Sequence, residues 1–148
     1  MFMLKGREDP SNVILHIPAR TRRSFRFAGD LFTVLVTGEE SGGSYTTMEV
    51  LVSPGGGPGL HQHEAEEEQF YVLSGQLTYQ VGPRTFEVKA GDFVHIPRQT
   101  PHSITNGPQP ARLLATFSPA GPERSFMEAG VWLSPDESDP WTSPGEQI

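Results

Sequence analysis

Residues 55–75 read GGGPGLHQHEAEEEQFYVLSG, and residues 91–106 read GDFVHIPRQTPHSITN. The chain is organised around four side chains in these stretches: His61, His63, Glu68 and His102. Read as a strand, His61-Gln62-His63 puts two imidazoles on one face, because side chains alternate with period two. Their Cα atoms then lie roughly 6.5 Å apart, at about 3.3 Å per residue. Both rings can therefore converge on one ion through bonds of about 2.1 Å. Glu68 stands at an odd offset from His63, so an unbroken strand would aim it at the opposite face. A connection over Glu64-Ala65-Glu66-Glu67 would place Glu68 on a neighbouring antiparallel strand instead. His102 can join only through long-range sheet pairing, which ties the site to the whole fold.

Outward from this stretch the chain reads as short strands divided by turns. Upstream, Leu31 to Thr37 is apolar and β-branched, and Tyr45 to Val52 puts Thr46, Met48, Val50 and Val52 on one face. Glu68 to Leu73 follows, with Phe70 and Val72 sharing the face of Glu68 and giving the carboxylate an apolar wall. Gln76 to Val81 and Thr85 to Lys89 alternate about the turn Gly82-Pro83-Arg84. Phe93 to Ile96, His102 to Thr105 and Ala111 to Ser118 complete the series. Before it, Val13 to Ile17 is a β-rich run stopped by Pro18, Arg20 to Arg23 is a basic, solvated turn, and Ser24 to Phe27 aligns Phe25 with Phe27. After it, Pro122, Glu123, Phe126, Met127 and Gly130 mark one short helix, and Ser134 to Ile148 is a Pro- and acid-rich tail that Trp132 and Trp141 can anchor. Such spacing, with no strand–helix alternation, predicts an all-β sandwich or barrel.

Composition bounds the function. The 148 residues suit one core, and 16 Gly and 14 Pro fit a turn-rich β protein. The absence of cysteine excludes disulfides and thiolate metal sites, leaving nitrogen and oxygen ligands. A net charge of −7 argues against nucleic acid or an anionic membrane as partner. The opening Met1 to Arg7 is too short and polar for a signal segment, and no apolar run is long enough to span a bilayer, so a cytoplasmic protein is expected.

The frame Gly55, His61-x-His63, Glu68, Gly75 resembles the first motif of the cupin superfamily, and Gly91, Pro97, His102, Asn106 resembles the second. The two together, 55–75 and 91–106, lie within about a third of the chain. One departure stands at Gln99, where the family usually has glycine, a residue that permits positive φ. The resemblance implies a double-stranded β-helix, or jelly-roll barrel, with one short C-terminal helix. It divides the chain into an arm with edge strands over 1–30, a barrel over 31–118, and a helix with tail over 119–148. Phe117-Ser118-Pro119-Ala120-Gly121 is similar to the same region of small single-barrel cupins grouped with quercetin dioxygenases.

The same resemblance implies one divalent transition metal per chain on His61, His63, Glu68 and His102: iron, nickel, manganese, cobalt, copper or zinc. Magnesium and calcium prefer all-oxygen shells. Glu64, Glu66 and Glu67 read as a solvated acidic loop, with Glu67 the one rival to Glu68; His95 reads as a packed or surface residue, and His16 has no role. Phe70 and Tyr79 are candidates for the substrate pocket. The first functional expectation is a dioxygenase acting on an enol, catechol or flavonol-like small molecule, with Glu68 as ligand and proton acceptor. The alternatives are a non-oxidative isomerase or polyketide-type cyclase, or a metal-containing binding protein without catalysis. A homodimer is expected, with the segment up to about Ile17 covering a sheet edge.

Overall fold

The alternation along the chain becomes two antiparallel sheets in the computed structural model, which describes residues 12–21, 23–134 and 137. Among these residues the strands are β1 (Arg23–Phe27), β2 (Asp30–Val36), β3 (Thr46–Val52), β4 (Glu67–Ser74), β5 (Gln76–Val81), β6 (Arg84–Lys89), β7 (Phe93–Ile96), β8 (His102–Asn106) and β9 (Ala111–Ser118). A helix α1 (Glu123–Ala129) and a two-residue strand β10 (Val131–Trp132) follow. The larger sheet runs β10-β1-β2-β3-β9-β4-β7 and the smaller β6-β5-β8. The result is an all-β jelly roll with one short helix.

Parity decides which residues meet. Thr46, Met48, Val50 and Val52 of β3 are all buried, as are Glu68, Phe70 and Val72 of β4 and Ala111, Leu113, Ala115 and Phe117 of β9. Leu77 and Tyr79 of β5 and Ile104 of β8 close this core from the smaller sheet. Each large apolar side chain so buried contributes about 1.5–3 kcal/mol. A second cluster of Phe25, Val34, Met48 and Phe117 packs against Phe126 and Met127 of α1. Phe25 stacks on Phe32 with ring centroids 5.2 Å apart, and Trp132 packs against Phe25 at a tilt, 4.9 Å between centroids.

The free side of β8 is taken by an irregular segment. Asn106 N–H donates to the Gly56 carbonyl at 2.9 Å, Ile104 N–H to Pro58 at 3.1 Å, and His61 and His102 exchange both backbone bonds at 3.0 and 2.8 Å. Residues 55–63 therefore run beside β8 like a strand without regular strand geometry. Gly57 makes this possible: at φ +115° a side chain is strained, and a Cβ there would overlap the Ile104 carbonyl oxygen. The Asn106 amide secures the start of the segment by donating to the Val52 and Ser53 carbonyls, both at 3.1 Å.

Two expectations change. His61-Gln62-His63 is no strand; only His61 forms an isolated bridge, with His102. Val13 to Ile17 is also not a strand. An extended run needs a sheet edge to receive its hydrogen bonds, and the outer edge of β1 is occupied by β10, whose Trp132 and Val131 pair with Phe25 and Arg26. At two residues, β10 is too short to leave a periodic signature. The first eleven residues, Trp141 and most of the tail lie outside the described residues, and with them most of the arm expected to cover an edge.

Candidate metal centre

Glu68 and His102 come from strand beginnings. Glu68 faces inward on β4 and is 5% exposed, whereas its rival Glu67 is less buried, has the opposite parity and pairs through its backbone with Ser118. His102 opens β8 and is 1% exposed. Its Nε2 lies 3.1 Å from Glu68 Oε2, and His63 Nε2 lies 3.4 Å from the same oxygen. His61 joins them through the backbone bridge, with its ring centroid 4.2 Å from that of His102. One ligand atom from each of His61, His63, Glu68 and His102 falls within 4.8 Å of all the others. The structure thus brings together the four side chains the sequence singled out.

Backbone carbonyls set the ring orientations. A carbonyl only accepts, so His61 Nδ1–H donates to Gly59 at 2.6 Å and His102 Nδ1–H donates to Thr100 at 2.8 Å. In the neutral ring each Nε2 then keeps a lone pair that a cation can take, an arrangement that fixes the tautomer of metal-ligating histidines. The carbonyl of His63 receives the Gln99 N–H at 2.8 Å. Gln99 adopts φ +58°, the left-handed conformation for which glycine is the usual choice, so this turn keeps its shape at a cost of order 1–3 kcal/mol.

The donor atoms fit a cation. His63 Nε2 is buried without a hydrogen-bond partner and stands beside the Glu68 carboxylate. An orphaned nitrogen, two further imidazoles and an anion around one point satisfy one another through a shared divalent ion. Three imidazoles with one carboxylate suit a first-row transition metal. Burial pushes the Glu68 carboxyl up, but the His102 and His63 rings beside it outweigh that and hold the group below the usual carboxylate value. Burial pulls His102 down, while Glu68 and the Thr100 carbonyl more than restore it and leave it raised. For His61 burial prevails, and its pKa is lowered.

A cavity of about 340 Å³ reaches this cluster between the sheets. Its walls are apolar, among them Phe32, Val50, Phe70, Leu113, Phe117 and Phe126, and its ionisable lining among the described residues is His61, Glu68 and Asp30. Phe70 lies where a pocket residue belongs. Tyr79 sits deeper, in the core between Phe70 and Phe86 at 5.4 and 5.9 Å, with a buried, unpartnered hydroxyl whose pKa is pushed up by burial and by the charge of Glu68. His95 is exposed beside Gln69, and Asp30, which the sequence does not single out, lines the cavity.

Residues 48–117, which contain all four clustered side chains, match the cupin domain family. This segment is a cupin domain. This cupin is 31% identical over 70 residues to quercetin 2,3-dioxygenase of Bacillus subtilis, a span of 47% of the chain and 21% of that protein. It is 31% identical over 99 residues to the polyketide synthase CurC of Streptomyces cyaneus, covering 66% of the chain and 64% of that protein. The polyketide cyclase RemF of Streptomyces resistomycificus superposes with a TM-score of 0.63 at 27% identity, over 74% of this chain and 82% of that one. The cupin spans less than two thirds of the length of the curated relatives it matches.

Proposed function

We propose that this cupin is a metal-dependent enzyme, a dioxygenase acting on an enol, catechol or flavonol-like small molecule. The observation that carries this reading is one apolar, aromatic-walled cavity ending on His61 and Glu68. A divalent transition metal held by His61, His63, Glu68 and His102 would supply a Lewis acid for the oxygen of such a molecule. The chain's own residues supply the rest. Phe32, Phe70 and Phe117 present flat faces that orient a planar ring and keep water from it. The carbonyls of Gly59 and Thr100 hold the rings of His61 and His102 in place. Glu68, ionised and below its usual pKa, accepts the proton of the substrate hydroxyl. Oxygen uptake with a flavonol panel tests this, alongside metal analysis of protein purified without chelator. About one redox-active metal per chain and oxygen consumption are expected; zinc alone, with no uptake, overturns the oxygenase reading.

A second reading, a non-oxidative cyclase or isomerase, is supported by coverage. The likeness to RemF extends over 82% of that chain, and that to quercetin dioxygenase over 21% of that protein. Conversion of a polyketide-type enol without oxygen consumption would establish it, and tight binding without conversion would leave a binding protein. A homodimer is proposed on the family resemblance, and a monomer mass by light scattering at micromolar concentration would overturn it.

A further inference from the structure

The third ionisable group of the cavity has no part in the cluster. Asp30 opens β2, lines the cavity and is 3% exposed. Its Oδ1 accepts the Ser53 N–H at 3.0 Å, and the Gly57 N–H also serves the carboxylate. A carboxylate offers about four lone-pair sites, so two N–H groups leave it with unused accepting capacity. Burial raises its pKa, and the two N–H groups offset only part of that. A buried acid in an apolar wall is costly unless it finds a donor.

Its place in the register matters as much. Leu31, the next residue, lies opposite Leu51, and Leu51 lies opposite Arg112 on β9. Glu68 lies opposite Phe117 on the same strand. From Arg112 to Phe117 is roughly 17 Å of strand at about 3.4 Å per residue. Asp30 and Glu68 therefore stand towards opposite ends of one apolar cavity, with Leu113 and Ala115 of its lining between them.

We propose that Asp30 is a specificity-determining residue, accepting a hydrogen bond from a hydroxyl at the far end of an elongated, mostly apolar ligand whose other end meets His61 and Glu68. This rests on the reading of the cavity given above and narrows it. The ligand class is a flat molecule of linked rings, with an enol or phenol at one end and a phenolic hydroxyl at the other. Its two polar ends answer the two acids, and its middle needs no polar partner.

The test uses three flavonols: one with a hydroxyl para on the distal phenyl ring, one with a methoxy group there, and one with neither. Equilibrium binding is measured on metal-loaded wild type and Asp30→Asn. Asparagine keeps an acceptor for the Ser53 N–H but replaces the charge with an amide that also donates. Wild type should favour the hydroxyl over the methoxy compound by about tenfold or more, the lower range for a hydrogen bond to a charged group. In Asp30→Asn the ratio should fall to near one or invert, because the amide N–H can donate to the ether oxygen. Each ratio is taken within one protein, so a loss of folded material cancels. The same ratio in both proteins would make Asp30 an anchor for the Ser53–Gly57 loop only and overturn the proposal. A wild-type ratio near one, with all three compounds bound, overturns this inference alone; no binding of any of them overturns the reading of the cavity and this with it.

Discussion

Glu68 and His102 are set by regular strands, whereas His61 and His63 hang on an irregular segment laid against β8. The strand pair is 5% and 1% exposed, and the loop pair is only partly buried. One half of the centre is thus part of the core. The other is held by backbone hydrogen bonds, a glycine and a strained turn at Gln99. The difference shows that one cluster of side chains can have two structural origins, with different costs of damage.

Substitutions should separate the halves. His102→Ala should destabilise the metal-free protein by about 3 kcal/mol, because it leaves the buried Glu68 charge without its nearer partner. His61→Ala should cost no more than about 1 kcal/mol, as for changes away from the core. Both should lose metal. Denaturant melts of the metal-free proteins measure the gap, and equal losses would erase the distinction. Glu68→Gln should retain measurable metal yet lose turnover by a factor on the order of 100, the lower range for loss of a general base. That comparison is made at equal metal occupancy, and near-normal turnover would leave Glu68 a scaffold residue. Gly57→Ala should shift the loop away from β8 and weaken metal affinity about tenfold, as loss of a supporting contact does. Metal titration checks it, with Glu68 and His102 expected to keep their positions.

The smallest effect is in pH. In the metal-free protein His102 has its folded pKa raised above 6.5, so its contribution to stability is fully present below 6.5 and lost as pH rises through the folded value. His61 has its folded pKa lowered below 6.5, so stability falls as pH drops from 6.5 through its folded value. The depressed Glu68 pKa keeps its contribution above its ordinary 4.5 and loses it as pH falls through the folded value. Histidine resonances followed by NMR should place the two midpoints on opposite sides of 6.5. Coincident midpoints would mean that strand and loop offer the same electrostatic surroundings.

Much of this was legible in the sequence because period-two burial is a local signal. Thr46 to Val52, Glu68 to Val72 and Ala111 to Ser118 declared their inward rows, and the glycine frames brought His102 to the other ligands. The local path of the histidines was not legible. A glycine-rich segment can follow β8 without alternating, and only the partner backbone shows that it does. Val13 to Ile17 had strand composition, but the outer side of β1, the strand that follows it in the chain, is taken by β10. Asp30 was not legible as a site residue because its partners, Ser53 and Gly57, lie more than twenty residues away.

The cavity wall has one more consequence. All four clustered side chains lie within residues 48–117, but Phe27, Asp30, Phe32 and Phe126 of the lining lie outside that span. The histidine–glutamate cluster and much of the cavity wall are therefore encoded by separate pieces of chain. Mutation can reshape the wall without disturbing the cluster. Two proteins sharing the His-x-His, Glu and His set are then free to diverge in diet, and the flanks outside the common segment are where to read that divergence.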